Sequence, residues 1–376
     1  MTNQRRYDID AIRVIAIGLL IVYHIAIIFQ PWAMFFGFIR SDEWFESLWK
    51  PMALLNVWRI PLLFYVSGMA IYFAMRKRNW QEIIKERSIR ILLPFTFGYF
   101  VITTIHTFIF QYYYDLPLSY TAHTGHLWFL GNIFLYVLLL LPLFHYLKNN
   151  ENGRIHRWLS AWMGQPWGPL SITIFFVAES WGLNPQIFAV YALTWHGFFL
   201  GLLAFFFGFL FVYSGKSFWL TVLKWRYVYL GVACTLFAVR WSIFALEAPN
   251  YLMAIESNIW IFTIFGWGYK YLNRPSKILS YLSPAVYPVY MIHMFVLYGA
   301  AYFILPLDIP VALQFAAVTL LTFIVCFLLY EFVLKRIGFL RPLFGLKWTT
   351  KAKPKDSPKV NLVRPELMSS RSNKQN

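Results

Sequence analysis

The first long apolar run constrains this chain most. From Asp8 to Phe29 it reads DIDAIRVIAIGLLIVYHIAIIF, about the length that crosses a bilayer as a helix. In lipid the backbone polar groups must pair within the segment, so such a run is helical. Two residues inside it do not belong in hydrocarbon, Arg13 and His24. They are eleven positions apart, which at 100° per residue returns to nearly the same helix face and at 1.5 Å per residue spans roughly 16 Å of axis. One face therefore carries a cation near one membrane surface and an imidazole near the other. Ionisable groups in a span are costly and usually face a bundle interior or a wet cavity. For either residue alone, a snorkelling Arg13 or a helix-bonding His24 explains the sequence equally well.

Similar runs recur along the chain, at about 11–29, 52–75, 91–112, 127–147, 168–187, 190–213, 226–246, 251–271, 281–304 and 311–334. They predict an all-α, polytopic membrane bundle of about ten helices. With 59% hydrophobic and 13% charged residues, a soluble domain is excluded. The first run is followed by no small-residue cleavage site and reads as a retained span. Lys and Arg alternate between loops: Arg76, Lys77, Arg78, Lys85, Arg87 and Arg90 crowd the second, while 113–126, 183–189, 247–250 and 305–310 hold none. That asymmetry predicts both termini in the cytoplasm; the expected location is the cytoplasmic (inner) membrane, as a multi-pass protein. The net charge of +17 then belongs to cytoplasmic loops facing anionic lipid and calls for no nucleic acid. The expected division is a membrane domain over 1–346 and a basic, disordered cytoplasmic tail over 347–376. Cys234 and Cys326 lie in apolar runs with no metal-ligand spacing, and the histidines match no metal motif, so no metal is expected.

Orientation gives every polar residue a depth. Arg13, Arg87 and Arg90 fall at the inner side. Arg87 and Arg90 share a helix face just before Pro94. Positive-inside topology alone demands basic residues there; Arg also holds phosphates bidentately. His24, His126, His196, Glu179, Arg240 and Glu256 fall in the outer half, with His293 near the middle of its span. Each suits a helix–helix hydrogen bond. Together they suit chemistry near the outer face, with His as general base near neutral pH, or a proton relay in a transporter or proton-coupled permease. No G-x-S-x-G elbow, Walker A, dinucleotide fingerprint or HExxH is present. That favours direct transfer over a covalent serine intermediate. Transporters often carry matched, broken halves, and none is visible here.

The ordered set of Arg13-x10-His24 with Asp10, PLLFYVSG from Pro61, Arg87-x2-Arg90 before Pro94, HLWFL from His126, YPVYMIH from Tyr287 and YEFVLKRIGFLRPLFGLK from Tyr330 resembles the integral-membrane acyltransferase 3 superfamily from about residue 6 to 347. Around Glu256 and HLWFL it looks most like the branch of periplasmic glucan succinyltransferases. Met294 stands where many relatives have Pro. The resemblance implies a ten-span fold that moves an acyl group, acetyl or succinyl, from cytoplasmic acyl-CoA to a glycan hydroxyl outside, with acyl-CoA as a substrate and no tightly bound cofactor. It implies His24 as catalytic base, Arg13 as its same-helix companion on the donor path, and Arg87 and Arg90 as contacts to CoA. Glu256 and His293 join the candidate catalytic set on depth and chemistry, and His126 joins it as catalytic or structural. A homodimer is compatible with this picture.

Overall fold

In the computed structural model, residues 5–348 are described; all but the first two residues of the 347–376 tail lie outside them. The described residues are helical, without strands. Eight helices are long and apolar enough to cross a membrane: α1 (Tyr7–Ile28), α2 (Glu46–Met75), α3 (Trp80–Tyr113), α4 (Gly125–Asn149), α7 (Trp195–Tyr213), α8 (Lys216–Ser242), α10 (Lys277–Ile304) and α11 (Val311–Leu334). The longer of the remaining helices are α5 (Arg154–Met163), which is amphipathic, α6 (Thr173–Leu183) and α9 (Asn250–Tyr271). The protein is thus an all-α polytopic membrane bundle.

Eight of the ten expected runs coincide with the eight long apolar helices. The run at 251–271 forms α9, whose Glu, Ser, Asn and Lys lower its apolarity without breaking it. The run at 168–187 is shorter than expected. A helical turn at Trp167–Ser171 leads into α6, which ends at Leu183 because Asn184 turns left-handed with φ 40°. Residues 184–194 are then a strap between helices, and α7 begins at Trp195 rather than 190. Apolar composition alone misses that strap, because most of its residues are themselves hydrophobic.

Helix α1 is the hub. It packs against α2, α9, α10 and α11, and most of its length is buried. At its start Asp8, fully buried, is held by Arg6 at 2.6 Å, and the Arg6 guanidinium lies 3.7 Å from the Trp219 ring centroid. The most extensive helix–helix contact joins α2 and α7. Small residues set their distance. A Cβ on Gly68 would sit 1.9 Å from the Phe205 carbonyl oxygen, and one on Gly208 would sit 2.0 Å from that of Tyr65. Without a hydrophobic drive between helices in lipid, such close backbone approach supplies the packing. Gly68→Val or Gly208→Val should therefore cost about 1–3 kcal/mol or more by overpacking. A falling thermal midpoint checks this, with Gly18→Val, where nothing lies within 4 Å, as the control.

Helix α3 is irregular. It carries π-helical turns at Ser88–Leu92 and Gly98–Ile102 on either side of Pro94. A π turn adds a residue to the helical phase and is frequent at functional sites. Arg90 lies inside the first of these turns. The chain returns to this region after α11: a Cβ on Gly345 would sit 2.2 Å from the Tyr287 ring.

Candidate functional site

Two polar centres lie at opposite ends of α1. The first surrounds Arg13. Its Nη2 donates to Ser283 Oγ at 2.9 Å and to the Ser283 carbonyl at 3.3 Å, and lies 3.4 Å from Asp10. Glu86 is the acidic hub beside it. Arg90 Nη1 lies 3.0 Å from Glu86 Oε1, Arg78 Nη1 3.3 Å from Oε2, and Arg87 Nη2 3.9 Å from Oε2. One carboxylate serves three guanidiniums, so the cluster retains positive charge. Arg13, Arg87 and Arg90 are near enough to repel one another electrostatically. Buried donors remain unused here: Arg13 Nε, Arg87 Nε and the Tyr287 hydroxyl have no partner. Buried polar groups are normally hydrogen-bonded; Glu86 Oε2, within ion-pair distance of Arg78, likewise makes no hydrogen bond.

The second centre is a cavity of about 1190 Å³ at the other end of α1. Its polar lining includes His24, Arg59, His106, His123, His126 and Arg240, and its rim carries exposed Phe35, Ile187 and Leu193. The strap after α6 forms part of the wall and is tied down. His196 Nε2 donates to the Phe188 carbonyl at 3.0 Å, its Nδ1 meets Glu179 at 2.9 Å, and the Tyr191 hydroxyl donates to the Val57 carbonyl at 3.1 Å. Outside the membrane-spanning helices, His123 hydrogen-bonds Thr107 at 2.8 Å, and partial burial holds its imidazole below the ordinary histidine value.

His24 is half-buried and faces this cavity. Its Nδ1 lies 2.9 Å from His293 Nε2, with the rings 10° from parallel and their centroids 5.2 Å apart, so they meet edge to edge. His293 Nδ1 lies 2.5 Å from the Tyr290 carbonyl. A carbonyl only accepts, so His293 Nδ1 carries its proton and, in the neutral ring, Nε2 is an acceptor. His24 Nδ1–H must then donate to it. The chain of bonds thereby assigns the His24 tautomer and leaves its Nε2 unprotonated. That is the state a general base needs.

His126 braces this pair. Its Nε2 donates to the Met291 carbonyl at 3.2 Å, while the Tyr290 hydroxyl donates back to the His126 carbonyl at 2.5 Å. Its ring centroid lies 4.8 Å from that of His293, near perpendicular. Here α4 and α10 are latched at Tyr290, whose carbonyl holds His293, and at its chain neighbour Met291. His126 Nδ1 is buried without a partner.

The structure therefore brings together His24, His126 and His293. It leaves Arg13, Arg87 and Arg90 in the separate cluster. Glu256 joins neither. It is fully buried and paired with Arg240 at 2.6 and 2.9 Å, and Arg240 also donates to the Ala53 and Leu246 carbonyls at 3.0 and 3.4 Å. That pair ties α8 and α9 to α2. Sequence reasoning passed over Arg59, Tyr290, His106 and His123. The last two lie in TIHTF and AHTGH, and H-x2-H across His123 and His126 was the visible signal. Among the described residues no group of His, Cys, Asp and Glu is arranged to hold a metal.

These features define a multi-pass helical membrane protein with a histidine-lined cavity at one end and a basic cluster at the other. The chain belongs to the acyltransferase 3 family, whose acyltransferase domain it matches over residues 6–331. No curated protein and no solved structure matches it.

Proposed function

We propose that the protein is a membrane O-acyltransferase that carries an acyl group, acetyl or succinyl, from acyl-CoA to a hydroxyl of a periplasmic or cell-surface glycan. The observation that carries this reading is the ordered pair of imidazoles facing the cavity, with His24 Nε2 free to accept a proton. In this reading the acceptor hydroxyl enters the cavity and its oxygen attacks the thioester carbonyl as its proton passes to His24 Nε2. The tetrahedral intermediate collapses, the C–S bond breaks, and His24 returns the proton to the thiolate. The products are an ester and CoA. His293 does not take the proton; its Nε2 holds His24 Nδ1–H and steadies the imidazolium, as the orienting member of a triad does. Being neutral, it does so with a dipole rather than a full charge.

The basic cluster is the proposed donor end. Arg13 and Arg87 supply buried, unused N–H groups for CoA phosphates to accept, with Arg90 beside them on Glu86. In this reading that end faces the cytoplasm, where acyl-CoA is made, and the cavity faces the outer side of the inner membrane; the alternation of Lys and Arg among loops supports that orientation. Membership of an acyltransferase family favours this reading over proton-coupled transport.

The donor end has its own test. Acyl-CoA should raise the thermal midpoint of the wild-type protein by native-state binding. Replacing both Arg87 and Arg90 by Ala should weaken that binding by about tenfold or more, since charge-assisted bonds contribute roughly 1.5–3 kcal/mol each. Equal stabilisation of wild type and double variant would move the donor site elsewhere.

A further inference from the structure

Among the described residues, Arg59 is a buried cation without an acidic partner. It opens the regular part of α2 at the cavity wall and is only 4% exposed. Its guanidinium stacks on Tyr23, 3.5 Å from the ring centroid. Stacking covers a face of the guanidinium and does not engage Nε or Nη1. Nε and Nη1 are both buried and donate to nothing. The contrast with Arg240 on the same wall is informative. Arg240, 1% exposed, has a carboxylate and two carbonyls to itself. Around Arg59 the only other ionisable side chains lining the cavity are histidines, tyrosines, Arg240 and the exposed Glu247.

A buried charge without a partner costs several kcal/mol, and such a group in a cleft marks a candidate functional site. The planar fork of a guanidinium matches a carboxylate oxygen for nitrogen. Resting on the acyltransferase reading, we propose that Arg59 is the docking point for a carboxylate carried by the substrate, so that the cavity selects an acidic reactant. Tyr23, on which it stacks, is the chain neighbour of His24, and both line the cavity. The carboxylate is therefore seated beside the reacting centre. A ground-state carboxylate explains the site better than the transient oxyanion of the intermediate, which would leave the guanidinium unpaired for most of the cycle.

Two sources carry that chemistry: a dicarboxylic acyl chain or an acidic sugar. Both are probed on the full-length protein in lipid nanodiscs, comparing succinyl-CoA with acetyl-CoA and a glucuronate-bearing disaccharide with its glucose counterpart. In wild type, one acidic probe should bind roughly thirtyfold or more tightly than its neutral partner. Arg59→Gln should erase that preference while the neutral probe binds as before. Arg59→Lys keeps the buried charge, serves if the Gln variant does not fold, and should narrow the preference to a few-fold. The pair that shows the preference names the source. The proposal is overturned if wild type prefers neither acidic probe, or if the variants weaken acidic and neutral probes alike, as an oxyanion-binding or purely structural Arg59 would. Failure of both CoA esters to bind wild type would instead sink the donor assignment, and the sugar pair would then decide Arg59 alone.

Discussion

A His24→Ala protein is expected to fold, to bind acyl-CoA as tightly as wild type, and to lose acyl transfer by about 10²–10⁴-fold, the usual contribution of a positioned general base. Folding should survive because His24 is half-buried and faces the cavity, so its removal enlarges a space that already exists. Donor binding should survive because the arginine cluster lies at the far end of α1, roughly 16 Å away along the axis. His293→Ala should show a milder form of the same defect, since it releases the His24 tautomer without removing the base. Turnover measured in membranes, beside donor binding in the same preparation, separates these outcomes. A His24→Ala enzyme that turns over normally would remove His24 from the chemistry.

The second large effect is on stability. Glu256→Ala should destabilise the protein by about 3–5 kcal/mol, because it strands the Arg240 guanidinium in the interior. Arg240→Ala should do the same and also free the Ala53 and Leu246 carbonyls. Replacing both, Arg240→Met with Glu256→Leu, should cost less than the two single changes together, because no charge is then left unpaired. Turnover per folded molecule should stay near wild type for Glu256→Gln. If that variant folded normally and lost turnover, Glu256 would belong in the catalytic set and its ion pair would be part of the mechanism.

The sequence made α1 legible because its signal is local: two ionisable residues on one face of a span need only helix geometry to be read. The all-helical membrane class was equally plain, since apolar runs of that length leave lipid no alternative. Depth was a weaker guide. Depth and chemistry bring Glu256 and His293 into one candidate set, yet one is neutralised by Arg240 on a neighbouring helix and the other sits behind His24. Which partner a polar residue finds depends on helix order and rotation, and neither is written in a single sequence. Arg59 went unread for a related reason. Inside the run at 52–75 an arginine reads as a snorkelling side chain, and only tertiary packing shows that it is buried against Tyr23 without an acid. The π turns of α3 left no sequence trace beyond Pro94.

Modification of an envelope glycan through His24 is the central claim. The most direct measurement is mass spectrometry of cell-envelope glycans from cells carrying wild-type, deleted and His24→Ala protein, with membrane levels of the protein matched. The account predicts glycans lighter by one acyl unit per modified site in both the deletion and the variant, and the mass difference names the acyl group. Identical glycans in all three strains, at equal protein levels, would contradict it.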